Sequence, residues 1–342
     1  MLSSRRVSDG REDAVGNPAN GAIQAMVMIA APASCRHMFS PRPRRLAADG
    51  CIAVHSGGGG LDKRDRMKST DTSRLRHEPG KPRGVLRQRL DAGAFRHQRL
   101  LPAPGLADWV EHFWQVDWQL EEGSPQQQET LPHPSVHLVI EPEEAAIHGV
   151  HTGRYVRQLC GDSYAFGIKF RPGGFQPFLR GDISTLTNRS LPVASVLGEA
   201  GDAWVKAIRA ASDFSARVAL AGRFLDDRRP GPDPKVAQAA ACVARIAAEP
   251  AITSVERFIE EGGLGKRALQ RLFKHYVGVG PKWVINRYRL HEAVARIQAG
   301  EAVDWSEMAL ELGYFDQAHF IRDFRALVGM TPGDFARRET AG

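Results

Sequence analysis

The chain has 342 residues, 42% of them hydrophobic, enough for about two domains with packed cores. It holds no run of about 18 apolar residues, so no transmembrane helix is expected; the scattered cysteines fit a reducing cytoplasm. The net charge of +7 is uneven: residues 1–100 carry 19 Lys/Arg against 9 Asp/Glu, residues 101–230 carry 12 against 16, and residues 231–342 carry 15 against 14, so the basic balance lies mostly at the N-terminus and is not by itself a sign of nucleic-acid binding.

Residues 1–80 lack a periodic apolar pattern and include the run Gly57–Gly60. Such a segment cannot bury enough surface to offset its ordering entropy, so a disordered basic tail is expected. Ala25–Ala31 imitates a signal-peptide core, but Glu12 and Asp13 interrupt the basic stretch of Arg5, Arg6 and Arg11 before it. Met67 stands just ahead of the first organised sequence and is a candidate native start.

Residues 85–195 read as a β-rich, sensor-like domain. Trp114, Val116 and Trp118 alternate along one candidate strand, Val136, Leu138 and Ile140 along a second, and Tyr164, Phe166, Ile168 and Phe170 along a third, before a Pro172-Gly173-Gly174 turn. Trp114, Trp118, Phe166 and Phe170 are candidates for core packing or for the wall of an apolar pocket. His133 and His137, then His148 and His151, raise the question of a metal. Residues four apart on a strand are about 13 Å apart, too far to share one ion, so surface histidines and no metal are expected. Residues 196–232 read as a helical connection with Leu197, Trp204, Ile208, Phe214, Val218, Leu220 and Phe224 apolar, closing in the linker Arg229-Pro230-Gly231-Pro232-Asp233-Pro234. Residues 233–342 read as helix throughout.

Cys35, Cys51, Cys160 and Cys242 are scattered without a C-x-x-C pair, which argues against a disulfide framework or a zinc cluster and fits a reducing compartment.

The last domain contains an internal repeat at an offset of 51 residues, with no gap required. Glu256 matches Glu307, Gly262 matches Gly313, Leu269 matches Phe320, Arg271 matches Arg322, Phe273 matches Phe324, Val277-Gly278 matches Val328-Gly329, and Pro281 matches Pro332. Each copy reads as helix, tight turn, helix. Thr253 with Glu256, and Asp304 with Glu307, are capping-box pairs. Gly262-Gly263 and Gly313 can end the first helices, and Asp316 caps the last. On the second helix of the first copy, Leu269, Leu272, Phe273 and Tyr276 form one face. Arg267, Gln270, Arg271 and Lys274, with Lys266 beside them, form the other. These are side chains that read guanine and adenine edges or grip phosphate, although such a stripe alone also describes a solvated amphipathic helix. The matching helix of the second copy offers Gln317, Ala318, His319, Arg322 and Arg325. Residues 253–290 carry 8 Lys/Arg against 3 Asp/Glu, and residues 301–342 carry 4 against 8, so the first unit should supply most of the electrostatic attraction. A helix from Pro281 to about Ala299 would be about 28 Å long, near the spacing of about 34 Å between successive major grooves.

Residues 237–339 resemble the DNA-binding domain of the AraC/XylS family. The carrying motifs are Leu269-Gln270-Arg271-Leu272-Phe273-Lys274 with Gly278 and Pro281, and the stretch Ala309 to Phe320 continuing through Arg322, Phe324, Gly329 and Pro332. Gly265 departs from the family's Ser-type cap, and Trp305 from a smaller aliphatic residue. The resemblance implies seven helices, two DNA readers and control of transcription. It implies double-stranded operator DNA and RNA polymerase as partners, with no cofactor and no catalysis. Residues 85–195 are similar to an uncharacterised β-rich domain that precedes the reader in some members, on Phe113-Trp114-Gln115-Val116, His137-Leu138-Val139-Ile140 and Phe170-Arg171-Pro172-Gly173-Gly174-Phe175, which implies a small-molecule effector by analogy. The fold class is α+β multidomain: a disordered tail, a β-rich domain, and an all-α domain of two helix-turn-helix units joined by a helix. An enzyme of the DNA-repair methyl-acceptor type, fused to a similar reader, is the alternative of another class. It needs a cysteine cluster or an activated thiol near His, which the surroundings of Cys160 and Cys242 do not offer.

Overall fold

The computed structural model describes Leu86 and residues 93–121, 123–260, 262–301 and 304–341, all within one compact unit. The expectation for residues 1–80 lies outside them. The first domain is built from β1 (Ala94–Leu100), β2 (Val110–Gln119), β3 (Gln126–Thr130), β4 (His137–Ile140), β5 (Ala145–His148), β6 (Tyr155–Leu159), β7 (Asp162–Phe170) and β8 (Ser190–Pro192). Six of these form an antiparallel sheet in the order β1-β2-β7-β4-β5-β8, and β3 and β6 pair as a separate ribbon. The three strands read from alternation are β2, β4 and β7, which lie side by side at the centre of the sheet.

Because side chains alternate, the sheet has two separate cores. Phe113, Leu138, Ile140, Ile147, Phe166, Ile168 and Phe170 pack on one face. Trp114, Val116, Trp118, Val139, Leu159 and Ala165 pack on the other, with Leu159 supplied by the ribbon. Trp114 and Trp118 therefore lie across the sheet from Phe166 and Phe170, and the four do not line one pocket. Three helices belong to this domain: α1 (Gln176–Leu179), between β7 and β8, then α2 (Val193–Ala210), kinked at Gly198, and α3 (Phe214–Asp226), capped by the Asp213 carboxylate on the Ala216 N–H. Segment 196–232 is more than a connection. Trp204, Val205, Ile208, Phe214, Val218, Ala221, Phe224 and Leu225 complete the first core.

Seven further helices are described after the linker: α4 (Pro234–Ala248), α5 (Val255–Glu260), α6 (Lys266–Leu272, continued by a π turn over Phe273–Val277), α7 (Pro281–Gln298), α8 (Trp305–Glu311), α9 (Gln317–Val328) and α10 (Pro332–Ala341). Helix α7 serves two cores. Val284 and Ile285 pack with α4, α5 and α6 in the first unit, while Leu290, Ala293, Val294 and Ile297 pack with α8, α9 and α10 in the second. Its 18 residues span about 27 Å.

Cys242 is a free, buried thiol in α4 whose pKa burial raises. One sequence reading is corrected. The repeat is not free of gaps. The cap of α5 is Ser254 rather than Thr253, its hydroxyl accepting from the Arg257 N–H at 3.1 Å, and the cap of α8 is Asp304, an offset of 50. The caps of α6 and α9 are Gly265 and Asp316, an offset of 51. The left-handed turn glycines are Gly263 and Gly313, both at φ 70°. One residue, Leu264, separates glycine from cap in the first turn. Two, Tyr314 and Phe315, do so in the second. Thr253 is instead packed against Gly313, where an added Cβ would approach the Thr253 Cβ to 2.5 Å.

Candidate nucleic-acid interface

Helix α6 is held by one apolar face. Leu269, Leu272, Phe273 and Tyr276 are buried in the first unit's core, which leaves Lys266, Arg267, Gln270, Arg271 and Lys274 exposed. Their positions follow from the 3.6-residue period, with three cations and an amide recurring along one stripe. Two members of the set are engaged. Lys266 Nζ lies 2.9 Å from Glu256 Oε1 of α5, and Lys274 Nζ lies 3.8 Å from Asp182 Oδ2 of the first domain. The lysine lowers the pKa of the exposed Glu256 carboxyl.

Helix α9 repeats the design with a stronger cap. Asp316 Oδ1 accepts the His319 N–H at 2.7 Å, and Phe320, Phe324 and Val328 are buried. Ala318, His319, Arg322 and Arg325 are exposed, and Gln317 is half-buried, its Oε1 accepting from Ser306 Oγ at 3.1 Å. His319 contacts the Tyr314 ring edge-on and stands 3.7 Å from Asp323. All ten sequence-predicted residues thus fall on α6 with its π turn and on α9, nine exposed and one half-buried.

Sequence reasoning missed that the first domain is packed against both units. Trp109 and Val150 enter the core of the first, and Leu86 and Leu131 enter that of the second. His275, at the end of α6, hydrogen-bonds the Asp182 carboxylate through Nδ1 and pairs with Gln176 Nε2 at 2.9 Å through Nε2. Thr187 Oγ1 donates to the Gly278 carbonyl at 2.6 Å. Arg287 of α7, buried beside the Trp283 ring, donates to the Thr152 carbonyl at 2.7 Å, and burial lowers its pKa to about 10. Arg154 lies against Gly329 at the end of α9 while bonding Glu129 at 2.9 Å. No local pattern signals these contacts, since the partners are 91 to 135 residues apart in the cases of Thr187–Gly278 and Arg287–Thr152.

Of the four histidines expected at the surface, His137 and His148 stand half-buried within the sheet, whereas His151 bonds the Arg154 carbonyl at an exposed site. His137 and His148 are register partners on β4 and β5, and Lys169 and His112 continue the same row across β7 and β2. Burial lowers the pKa of His137 to about 3 and also lowers those of His148 and His112. Glu111, at the β2 irregularity, accepts from Lys169 Nζ at 2.8 Å. Burial works to raise the Glu111 pKa, but the His112 and Lys169 side chains outweigh it and hold the carboxyl ionised. Among the described residues no group of three or more His, Cys, Asp or Glu is arranged to hold a metal ion, and no helix is long and apolar enough to cross a membrane.

Comparison with known proteins finds two family matches in the chain. Residues 98–192 match a domain of unknown function, DUF6597, and residues 260–338 match a helix-turn-helix domain. An AraC-like transcription regulator of Streptomyces lividans is 29% identical over 109 residues, 32% of this chain and 34% of that one. XylDLEGF operon transcriptional activator 1 of Pseudomonas putida is 34% identical over 87 residues, 25% of this chain and 26% of that one. The chain thus matches about a quarter to a third of the length of these curated relatives. Among solved structures, ToxT from Vibrio cholerae aligns over 73% of this chain and 99% of its own with 11% identity and a TM-score of 0.32. Unsaturated fatty acid-bound ToxT aligns over 73% and 97% with 11% identity and a TM-score of 0.29.

Proposed function

We propose that this protein binds double-stranded operator DNA through α6 and α9 and regulates transcription in the cytoplasm, acting on RNA polymerase at the promoters it occupies. The observation that carries the reading is the division of α6. Leu269, Leu272 and Phe273 lock the helix to its unit, while Arg267, Gln270, Arg271 and Lys274 project together into solvent from a helix-turn-helix frame. Rigidly held Arg and Gln side chains can make bidentate bonds to guanine and adenine, and Lys274 can meet phosphate as a point charge. The similarity of residues 260–338 to helix-turn-helix domains supports the same reading. The first domain, packed on both units, is the element through which a small-molecule effector would bias the readers.

The test is selection of bound sequences from a random DNA pool by the full chain. The full chain is needed because Trp109, Val150, Leu86 and Leu131 complete the cores of the reader units. A two-part consensus with centres about one helical turn apart is expected. Recovery of unrelated sequences, bound with the same affinity as the starting pool, rejects the reading.

A further inference from the structure

Two large apolar side chains stand out as exposed among the described residues: Leu310 at 65% and Phe315 at 89% of their surface. Both belong to the second reader unit, at the end of α8 and in the turn to α9. Neither has an apolar counterpart in the first unit. At the offset of 50 that relates α5 to α8, Leu310 corresponds to Glu260. Phe315 is one of two residues where the first turn has only one. Tyr314 takes the buried place of that turn, packing into the core beside Phe320, which leaves Phe315 no core to enter.

We propose that Phe315 is a base-reading side chain, making apolar contact with thymine 5-methyl groups in the major groove entered by α9. The proposal rests on the DNA-reading function proposed above. Phe315 immediately precedes Asp316, the cap of α9, and the N-terminal residues of a recognition helix are those that reach base edges. The thymine methyl is the apolar feature of the major groove, and Phe and Ala are side chains that meet it. Ala318, exposed on the first turn of α9, is the second such group. Charge favours this mode in the second unit. Residues 301–342 carry 4 Lys/Arg against 8 Asp/Glu, a poor balance for gripping phosphate, so contact that needs no cation suits this half of the reader.

The experiment uses the full chain, its selected operator, and copies of that operator with single thymines replaced by deoxyuracil, which removes only the methyl group. Wild type should lose about fourfold in affinity at one or two thymines of the half-site read by α9, the value of one buried methyl group. Phe315→Ala should bind the unmodified operator about tenfold more weakly and should no longer distinguish thymine from deoxyuracil at those positions. An unchanged melting midpoint for the variant is expected from its exposure and shows that the loss is not one of folding. Equal binding by variant and wild type, with no position sensitive to deoxyuracil, overturns the proposal while leaving the operator reading intact. If transcription then falls although binding is unchanged, the side chain faces a protein rather than DNA, which also overturns it. A wild type without sequence preference removes the operator reading and this inference with it.

Discussion

Arg271 and Lys274 occupy one stripe of α6 but face different chemistry. Arg271 is exposed at the middle of the helix, where its planar fork can bind a guanine edge. Lys274 sits at the end, already near the Asp182 carboxylate, and as a point charge it suits a phosphate rather than a base edge. Arg271→Ala is expected to weaken binding to the selected operator by about 1–3 kcal/mol and to relax base preference at one or two positions. Lys274→Ala should weaken all DNA about equally and reduce the slope of log affinity against log salt by about one. Titrations on operator and scrambled DNA at several salt concentrations separate the two. Uniform loss from both variants contradicts the assignment of α6 as the first reader.

At the scale of the helix, the two readers are anchored alike and capped differently. Phe273 and Phe324 are both fully buried at equivalent positions, one in each unit's core. Replacing either with Ala should destabilise the protein by about 3–5 kcal/mol, seen as a lowered melting midpoint of the full chain, because close-packed surroundings collapse only partly around the missing ring. Unchanged midpoints for both contradict their equivalence. The caps predict a smaller asymmetry. Asp316 satisfies the His319 N–H, so Asp316→Ala should cost about 1 kcal/mol. Gly265 has extended backbone, φ −66° and ψ 152°, and open space where a side chain would project. Gly265→Ser should therefore stabilise α6 by a few tenths of a kcal/mol. Chemical denaturation resolves both, and a stabilising Asp316→Ala would show that the cap is not formed.

At the scale of the molecule, the first domain is packed on both helix-turn-helix units. Asp182 binds His275 and lies near Lys274, Thr187 bonds the Gly278 carbonyl, and Ile183 lies where a Cβ on Gly278 would come within 2.8 Å. The π turn of α6 is thereby tied to the sheet domain. Asp182→Ala should raise amide hydrogen exchange across Phe273–Val277 by a factor of about five or less, the range of an exposed ion pair, while the sheet amides stay as they were. No change at Phe273–Val277 would mean that Asp182 does not contribute to docking. The pH dependence follows from the direction of the Asp182 shift. Its carboxyl is held below the ordinary value of 3.8, chiefly by the His275 hydrogen bond. Its contribution is therefore complete above that value and is lost as pH falls through the lower, docked one. The difference in protection between wild type and the variant should therefore close only in acid.

Local information carried much of this protein into view. The period of 2 in Trp114-Val116-Trp118 and Tyr164-Phe166-Ile168-Phe170 marked the central strands, and the period of 3.6 in Leu269-Leu272-Phe273-Tyr276 marked the anchored face of α6 and so its exposed Arg/Lys stripe. Those patterns are legible because burial on one face imposes them within a single element. The edge and ribbon strands β1, β3, β6 and β8 carry a weaker pattern and are not legible for that reason. Periodicity also says nothing about which face meets which. Only the pairing of strands put Trp114 and Phe166 on opposite sides of the sheet and brought His137 beside His148. The gapless repeat failed in the same way: identity at Glu256 and Glu307 suggested one register, whereas the backbone groups bonded at Ser254 and Asp304 determined another. The sequence by itself determined the central strands, the helices of the last domain and the chemistry of their exposed faces, since these depend on neighbours a few residues away. The tertiary structure alone decided that Asp182, Thr187, Thr152 and Leu131 seal the readers against the sheet domain, because hydrogen bonds and apolar contacts between residues a hundred positions apart leave no periodic trace in either segment.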